Sequence, residues 1–292
     1  MLTYSYLRYF WAVAHDGNLT RAAARLHVSQ SAVSVQIRKL EEELGRPLFV
    51  RQGRQLALTD AGRIALEYAD SIFALGDRLT SAVGSSQQPS RQTLRIGAVA
   101  TLSRNFQLSF LSSLLSRPDV RLVLRSGPLA SLLRQLRDHR LDLLLTNVLP
   151  PRDTDVPWLP QQIADEPVAL VGHRRRVRKR RSWSTLLASE PLILPSPDSA
   201  LRGSIDALLD SRQIEPRVVA EVDDMAMIRL LVRENAGLAV LPPIVVRDEL
   251  STGILQEVCR LPGIRETFFA VTLKRALPDP LLTDVLAEAR RR

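Results

Sequence analysis

The chain has 292 residues, 45% of them hydrophobic, and a formal net charge of +9. That length suits two or three domains with substantial cores. No apolar run reaches 18 residues, which excludes a membrane-spanning helix.

The basicity is local. Residues 1–59 carry eight basic against four acidic side chains, and RRRVRKRR at 174–181 adds seven positives. This fits a nucleic-acid-binding module better than a membrane-surface coat. The opening stretch MLTYSYLRYFWAVAHDG has no basic start, continuous apolar core or cleavage site, so it does not read as a signal peptide. It reads as an amphipathic helix with Leu7, Phe10, Trp11 and Ala14 on one face. The expected compartment is the cytoplasm. The lone Cys259 excludes an internal disulfide, leaving a buried apolar side chain or a reactive thiol.

Residues 19–54, LTRAAARLHVSQSAVSVQIRKLEEELGRPLFVRQGR, carry the densest signal. Thr20 is placed to cap a short helix reaching about Leu26, with Ala22, Ala23 and Leu26 inward. Ser29 is a good N-cap for a second helix. Val33, Ile37, Leu40 and Leu44 recur at helical spacing and should pack on the first helix. The opposite face offers Gln30, Ser31, Ser34, Arg38 and Lys39 to base edges or phosphates. Gly45 stops the helix, and Arg46, Arg51 and Arg54 flank Gly53 in a basic hairpin. Together these predict a winged helix-turn-helix, its second helix in the major groove and its wing along the phosphates. An ordinary helical hairpin with a solvated polar face is the plainer alternative.

From Thr59 onward, Ala61, Ala65, Tyr68, Ile72, Leu75, Leu79 and Ala82 alternate spacings of four and three, an a/d seam. Either a second copy or another domain must cover it. A dimer would give two reading heads for two half-sites. GSSQQPSRQ at 84–92 reads as a hinge.

Beyond Leu94 strands and helices alternate. LRIGAVA, VRLVLRSG and LDLLLTN are strands around helices at 106–115 and 129–138. A second series has strands at 167–173, 191–196, 217–222, 238–242 and 267–274, helices at 200–212 and 224–235, and a closing helix from 279. The pattern predicts parallel sheet with helices on both faces, in two subdomains that form a cleft at the strands' carboxyl ends. The expected boundaries are 1–59 for the DNA-binding domain, 60–91 for the linker helix and hinge, and 92–292 for the regulatory domain. Within the last, subdomain I is 92–160 with 269–292, and subdomain II is 161–268. The fold class is therefore multidomain α+β, with a C-terminal α/β unit.

Catalytic signatures are missing from the sequence. There is no G-x-G-x-x-G, P-loop or G-x-S-x-G, and His15, His27, His139 and His173 are scattered without metal spacing. Neither metal nor cofactor is expected. Polar groups do gather at predicted strand ends and helix starts: Ala100, Thr101, Ser103, Gly127, Thr146, Asn147, Ser196, Ser199 and Asp223. Free N–H groups before a helix at Ser196–Ser199 favour an anion. Each of these residues also has a plain reading as a cap or turn former, Ser199 and Asp223 above all. The basic run at 174–181 is either a solvated loop or an auxiliary polyanion patch.

The stretch LRYFWAVAHDGNLTRAAARLHVSQSAVSVQIRKLEEELGRPLFVRQGRQLALTDAGR resembles the LysR-type transcriptional regulators, and the resemblance extends over the whole chain. RSGPLASLLRQLRDHRLDLLL, PLILPSPDSALR and EPRVVAEVDD are similar to the branch containing sodium/proton antiporter regulators. The resemblance implies a periplasmic-binding-protein-like effector domain and homotetramers built on dimers. It also implies a small-molecule effector between the subdomains that alters DNA bending and RNA polymerase recruitment. Gln30, Ser31 and Ser34 would then touch bases, and Arg51 and Arg54 phosphates. Thr101, Ser103, Thr146, Ser196 and Ser199 would line the effector pocket. Ala32 departs from the proline common at the start of the recognition helix, and the basic run is not a family requirement. A two-cysteine peroxide mechanism does not carry over. An architectural DNA binder of weak specificity and an enzyme with an appended reading head are the competing readings.

Overall fold

A computed structural model describes residues 2–52, 55–83, 92–151, 156–176, 182–274 and 280–290. Gly53 and Arg54 of the wing tip, residues 84–91 of the hinge expected at 84–92 and residues 177–181 of the basic run lie outside these, as do the side chains of Arg51 and Ala82; Gln92 already belongs to a strand. The chain divides into two compact units, residues 1–87 and residues 88–292 apart from 138–140.

In the first unit α1 (Tyr4–Asp16), α2 (Leu19–Arg25) and α3 (Gln30–Leu44) enclose a core of Leu7, Phe10, Val13, Ala22, Val33 and Leu40. Small side chains at Ala22 and Ala23, both buried, let α2 pack closely. The cap of α2 is Asn18, not Thr20. The helix begins two residues earlier than expected, so its free N–H groups at Thr20 and Arg21 donate to Asn18 Oδ1 at 2.8 and 3.1 Å. Ser29 caps α3 as expected, accepting from the Ala32 N–H at 3.2 Å. Gly45, at φ +65°, ends it in the left-handed region that glycine adopts without strain. Leu44 is exposed, contrary to expectation, because it lies in the last turn outside the core. Leu48 is buried there instead, its N–H and that of Phe49 held by Glu41 Oε1 at 2.7 and 3.2 Å.

The wing is an antiparallel pair, β1 (Phe49–Gln52) and β2 (Gln55–Leu58). Thr59 then caps the 24-residue α4 (Asp60–Val83), accepting from the Gly62 N–H at 2.9 Å while donating to the Pro47 carbonyl at 2.7 Å. The a/d seam divides between two duties. Ala61, Ala65 and Ile72 pack on the core with Ala69, while Tyr68, Leu75 and Leu79 stay exposed, joined by Ile64. Asp70 of α4 accepts from Trp11 Nε1 at 2.8 Å and lies 2.7 Å from His15 Nε2, which fastens α1 to α4.

In the second unit an eight-stranded sheet joins two parallel triads. The first triad is β3 (Gln92–Val99), β4 (Val120–Gly127) and β5 (Leu143–Thr146), with α5 (Arg104–Leu115) and α6 (Leu129–Arg137) between. Then come β6 (Trp158–His173) and α7 (Trp183–Ser189). The second triad is β7 (Pro191–Pro195), β8 (Arg217–Val222) and β9 (Leu238–Leu241), with α8 (Ala200–Ser211) and α9 (Met225–Arg233) as its crossovers. A 3-10 turn at Pro243–Val246, α10 (Arg247–Ser251), β10 (Leu255–Leu273) and α11 (Pro280–Ala289) complete it.

The order is β4-β3-β5-β10-β6-β9-β7-β8. It is not wholly parallel: β10 runs antiparallel to β5 and to β6, and β6 antiparallel to β9. Both ribbon strands are far longer than the sequence pattern suggests. Leu261-Pro262-Gly263 looks like a turn but is absorbed where the register shifts between Arg260 and Arg265, with Gly263 at φ +73°. In β7, Leu192 and Leu194 face one core and Ile193 the other, so both faces are covered.

A Cβ on Gly62 would lie 2.0 Å from the Leu48 carbonyl oxygen, whereas one on Gly203 of α8 meets nothing within 4 Å. Gly62→Ala is therefore expected to destabilise the protein by about 1–3 kcal/mol. Gly203→Ala is expected to stabilise it by roughly 0.5–1 kcal/mol. Denaturant melts of the two variants should shift in opposite directions.

Candidate nucleic-acid interface and effector cleft

The turn from α2 to α3 brings the proposed base-reading groups together. Thr20 Oγ1 lies 3.4 Å from Gln30 Oε1, and Ser29 and Ser31 hydroxyls meet at 3.0 Å. Ser34 donates to the Gln30 carbonyl at 3.0 Å, so its hydroxyl is partly spent within the helix. Thr20, Ser29, Gln30, Ser31, Arg38 and Lys39 are exposed and Ser34 half-buried. Lys39 Nζ sits 5.7 Å over the Tyr6 ring, which draws its charge toward α1. Arg51 belongs to β1; its side chain and all of Arg54 lie outside the described residues. One exposed residue of this face escaped the sequence reading: Val35. Its position opposite the buried stripe was the available signal.

The strand registers place the second set of residues. In the first triad Val99 pairs with Gly127 and Ala98 with Leu145, so Ala100, Gly127, Thr146 and Asn147 share one sheet edge. In the second, Pro195 pairs with Val222, so Ser196 and Asp223 share another. The β5 end meets the ribbon at Phe269 and the β9 end meets it at Ala169. Antiparallel pairing of the ribbon turns these two edges toward each other, and midway between them Glu166 faces Glu266.

The individual groups differ in what they leave free. Ser103 and Ser199 are caps: their hydroxyls accept from the Phe106 N–H at 3.2 Å and the Leu201 N–H at 3.3 Å. Thr146 Oγ1 is taken by the N–H and carbonyl of Val148, both at 3.0 Å. Ser196 Oγ is buried and has no partner among the described residues. Thr101 is half-buried and Ala100 exposed. Asp223 is exposed and does not cap α9; Asp224, one residue nearer the helix, accepts from the Ala226 N–H at 2.9 Å.

Asn147 reveals a group the sequence reading passed over: Glu266 falls one residue before the strand expected at 267–274 but lies within β10. Asn147 Nδ2 donates to Glu266 Oε1 at 2.6 Å, and Glu266 is buried. Burial pushes its pKa up from the ordinary 4.5 to about 7; the bond from Asn147 opposes this and the Glu166 charge adds to it. Burial also raises Glu166, against the pull of Arg265 and Arg260 and with a push from Asp165.

Folding thus leaves Glu266 a proton that the unfolded chain releases. Its contribution to stability is full below pH 4.5 and is lost as the pH rises through 7. Glu266→Gln keeps an acceptor for Asn147 and removes the charge. It is expected to stabilise the protein by on the order of 3 kcal/mol at pH 8 and to change little near pH 5. Melts at both pH values check this; an equal shift at the two would refute it.

Comparison with known proteins accounts for both units. Residues 4–63 match the bacterial regulatory helix-turn-helix proteins of the lysR family, and residues 87–292 match the LysR substrate binding domain. The RuBisCO operon transcriptional regulator of Allochromatium vinosum is 30% identical over 250 residues, which are 84% of this chain and 81% of that protein. The transcriptional activator protein NhaR of Escherichia coli is 24% identical over 280 residues, 96% of this chain and 92% of its own. Full-length CbnR in complex with its target DNA superposes with a TM-score of 0.67 at 25% identity, covering 99% of each chain. The chain belongs to the LysR family of bacterial transcriptional regulators.

Proposed function

We propose that this regulator reads two DNA half-sites as a dimer, and that a small molecule bound between the halves of its second unit modulates the reading. Support for the first part is the exposed polar face of α3, set on a core that fixes its orientation. Gln30, Ser31 and Ser34 contact bases, and Thr20, Ser29, Arg38, Lys39, Arg51 and Arg54 hold the flanking backbone.

Support for the second part is the pair of opposed strand edges at the middle of the ribbon, the observation on which the effector reading rests. Thr101, Ser103, Ser196 and Ser199 line it, with Ala100, Gly127, Thr146, Asn147 and Asp223 around them. The starts of α5 and α8 near these edges favour an anionic effector. Neither cofactor nor metal enters this reading.

Self-association has two surfaces in support. One is the exposed stripe Ile64, Tyr68, Leu75 and Leu79 on α4. The other lies at the two sheet margins, where edge strands β4 and β8 expose Leu124 and Val218 and the crossovers α5 and α9 expose Leu108 and Met227. Each is incomplete alone, and together they build a homodimer and then a homotetramer. RNA polymerase is the further partner, and the compartment is the cytoplasm. No described helix is long and apolar enough to cross a membrane.

Mapping the protein on fragmented genomic DNA tests the reading. A few sharp sites sharing an inverted repeat are expected; diffuse, salt-sensitive occupancy would instead indicate an architectural binder. Gln30→Ala is expected to weaken the specific site by roughly 1–3 kcal/mol and relax its sequence preference. An equal loss on random DNA would remove Gln30 from base reading. Leu75→Asp is expected to lower the sedimentation coefficient by breaking dimers; an unchanged profile would refute the α4 interface.

A further inference from the structure

Val35 is an apolar side chain set in the middle of a polar reading face. It is 46% exposed. At about 100° per residue it points roughly opposite the buried stripe of Val33, Ile37 and Leu40. Ser31 lies one turn before it, and Arg38 and Lys39 one turn after, all exposed. No large exposed apolar side chain adjoins it on α3: Leu44 lies two turns beyond. A lone isopropyl group ringed by hydroxyls and charges is not a protein-docking patch. A β-branched residue also lowers helix propensity, and here burial does not compensate.

The major groove presents one apolar feature to such a group. Guanine, cytosine and adenine edges display donors and acceptors, which valine cannot pair. Thymine adds a C5-methyl. The second turn of α3, where Val35 sits, belongs to the part of a recognition helix that reaches base edges. Its branched side chain is stiff about χ1, so it presents a fixed surface.

We propose that Val35 determines specificity for thymine at one position of each half-site, by packing against the C5-methyl group. This rests on the DNA-reading role of α3 and names what one residue of that face selects.

The test uses the full-length chain and the duplex it enriches from a random-sequence pool. Each thymine is replaced singly by deoxyuridine, which pairs identically and lacks only the methyl. For the wild type, affinity is expected to fall about fourfold at one symmetry-related position and little elsewhere. For Val35→Ala, whose fold is secured by an exposed site and a better helix former, the penalty at that position is expected to disappear. Two results would overturn the proposal: no thymine whose methyl matters, or a penalty that persists undiminished in Val35→Ala. Failure to enrich any sequence would be a different outcome, since it removes DNA reading by α3 itself.

Discussion

The second unit depends on one constraint: β6 and β10 must remain paired along their whole length while the register slips between them. Each triad is hydrogen-bonded to a different strand of this ribbon, β5 to β10 and β9 to β6. Antiparallel pairing therefore fixes how the triads are directed. Had the ribbon been parallel, the two sets of carboxyl ends would not converge. The slips at Glu257/Cys259, Arg260/Arg265 and Phe268/Phe269 spread bending along the ribbon. One further link crosses between the halves: Asn105 donates from Nδ2 to the Val245 carbonyl at 3.1 Å, while the neighbouring Phe106 stacks on Phe268 of the ribbon at 3.9 Å.

The first unit solves a different problem, holding a short helix rigidly enough to read. A 15-residue helix has little stability of its own in water, and α3 is held because its inner face is shared with α1, α2 and the wing. Capping at both ends satisfies groups the helix cannot pair itself. The Gly62 close approach and the Asp70 contacts then join this assembly to α4.

Local signals were legible in the sequence and long-range pairings were not. Ser29, Gly45 and the Val33–Ile37–Leu40 stripe are read within one or two turns, because caps and periodicity are local physics. Asn18 was missed in favour of Thr20 because both are good caps and only the start of the helix decides between them. The first halves of β6 and β10 were missed because PQQIADE and RLPGIRE lack an apolar period. Their strand state comes from each other, across about a hundred residues. Glu166 opposite Glu266, and the bond from Asn147, follow from that pairing and have no local signature. The a/d seam was legible as a seam; that its positions would divide between the core and the surface depended on which part of α4 the three-helix core reaches.

The exposed stripe on α4 also bears on gene dosage. Where a reading head is active only as a pair, and the pair is joined by a few aliphatic and aromatic contacts, occupancy of a two-part operator grows as the square of the free chain concentration until pairing saturates. A modest fall in synthesis is then amplified at the promoter, and a regulator that limits its own transcription sets a sharp working level. Side chains at Ile64, Tyr68, Leu75 and Leu79 would set the concentration at which that steepness ends.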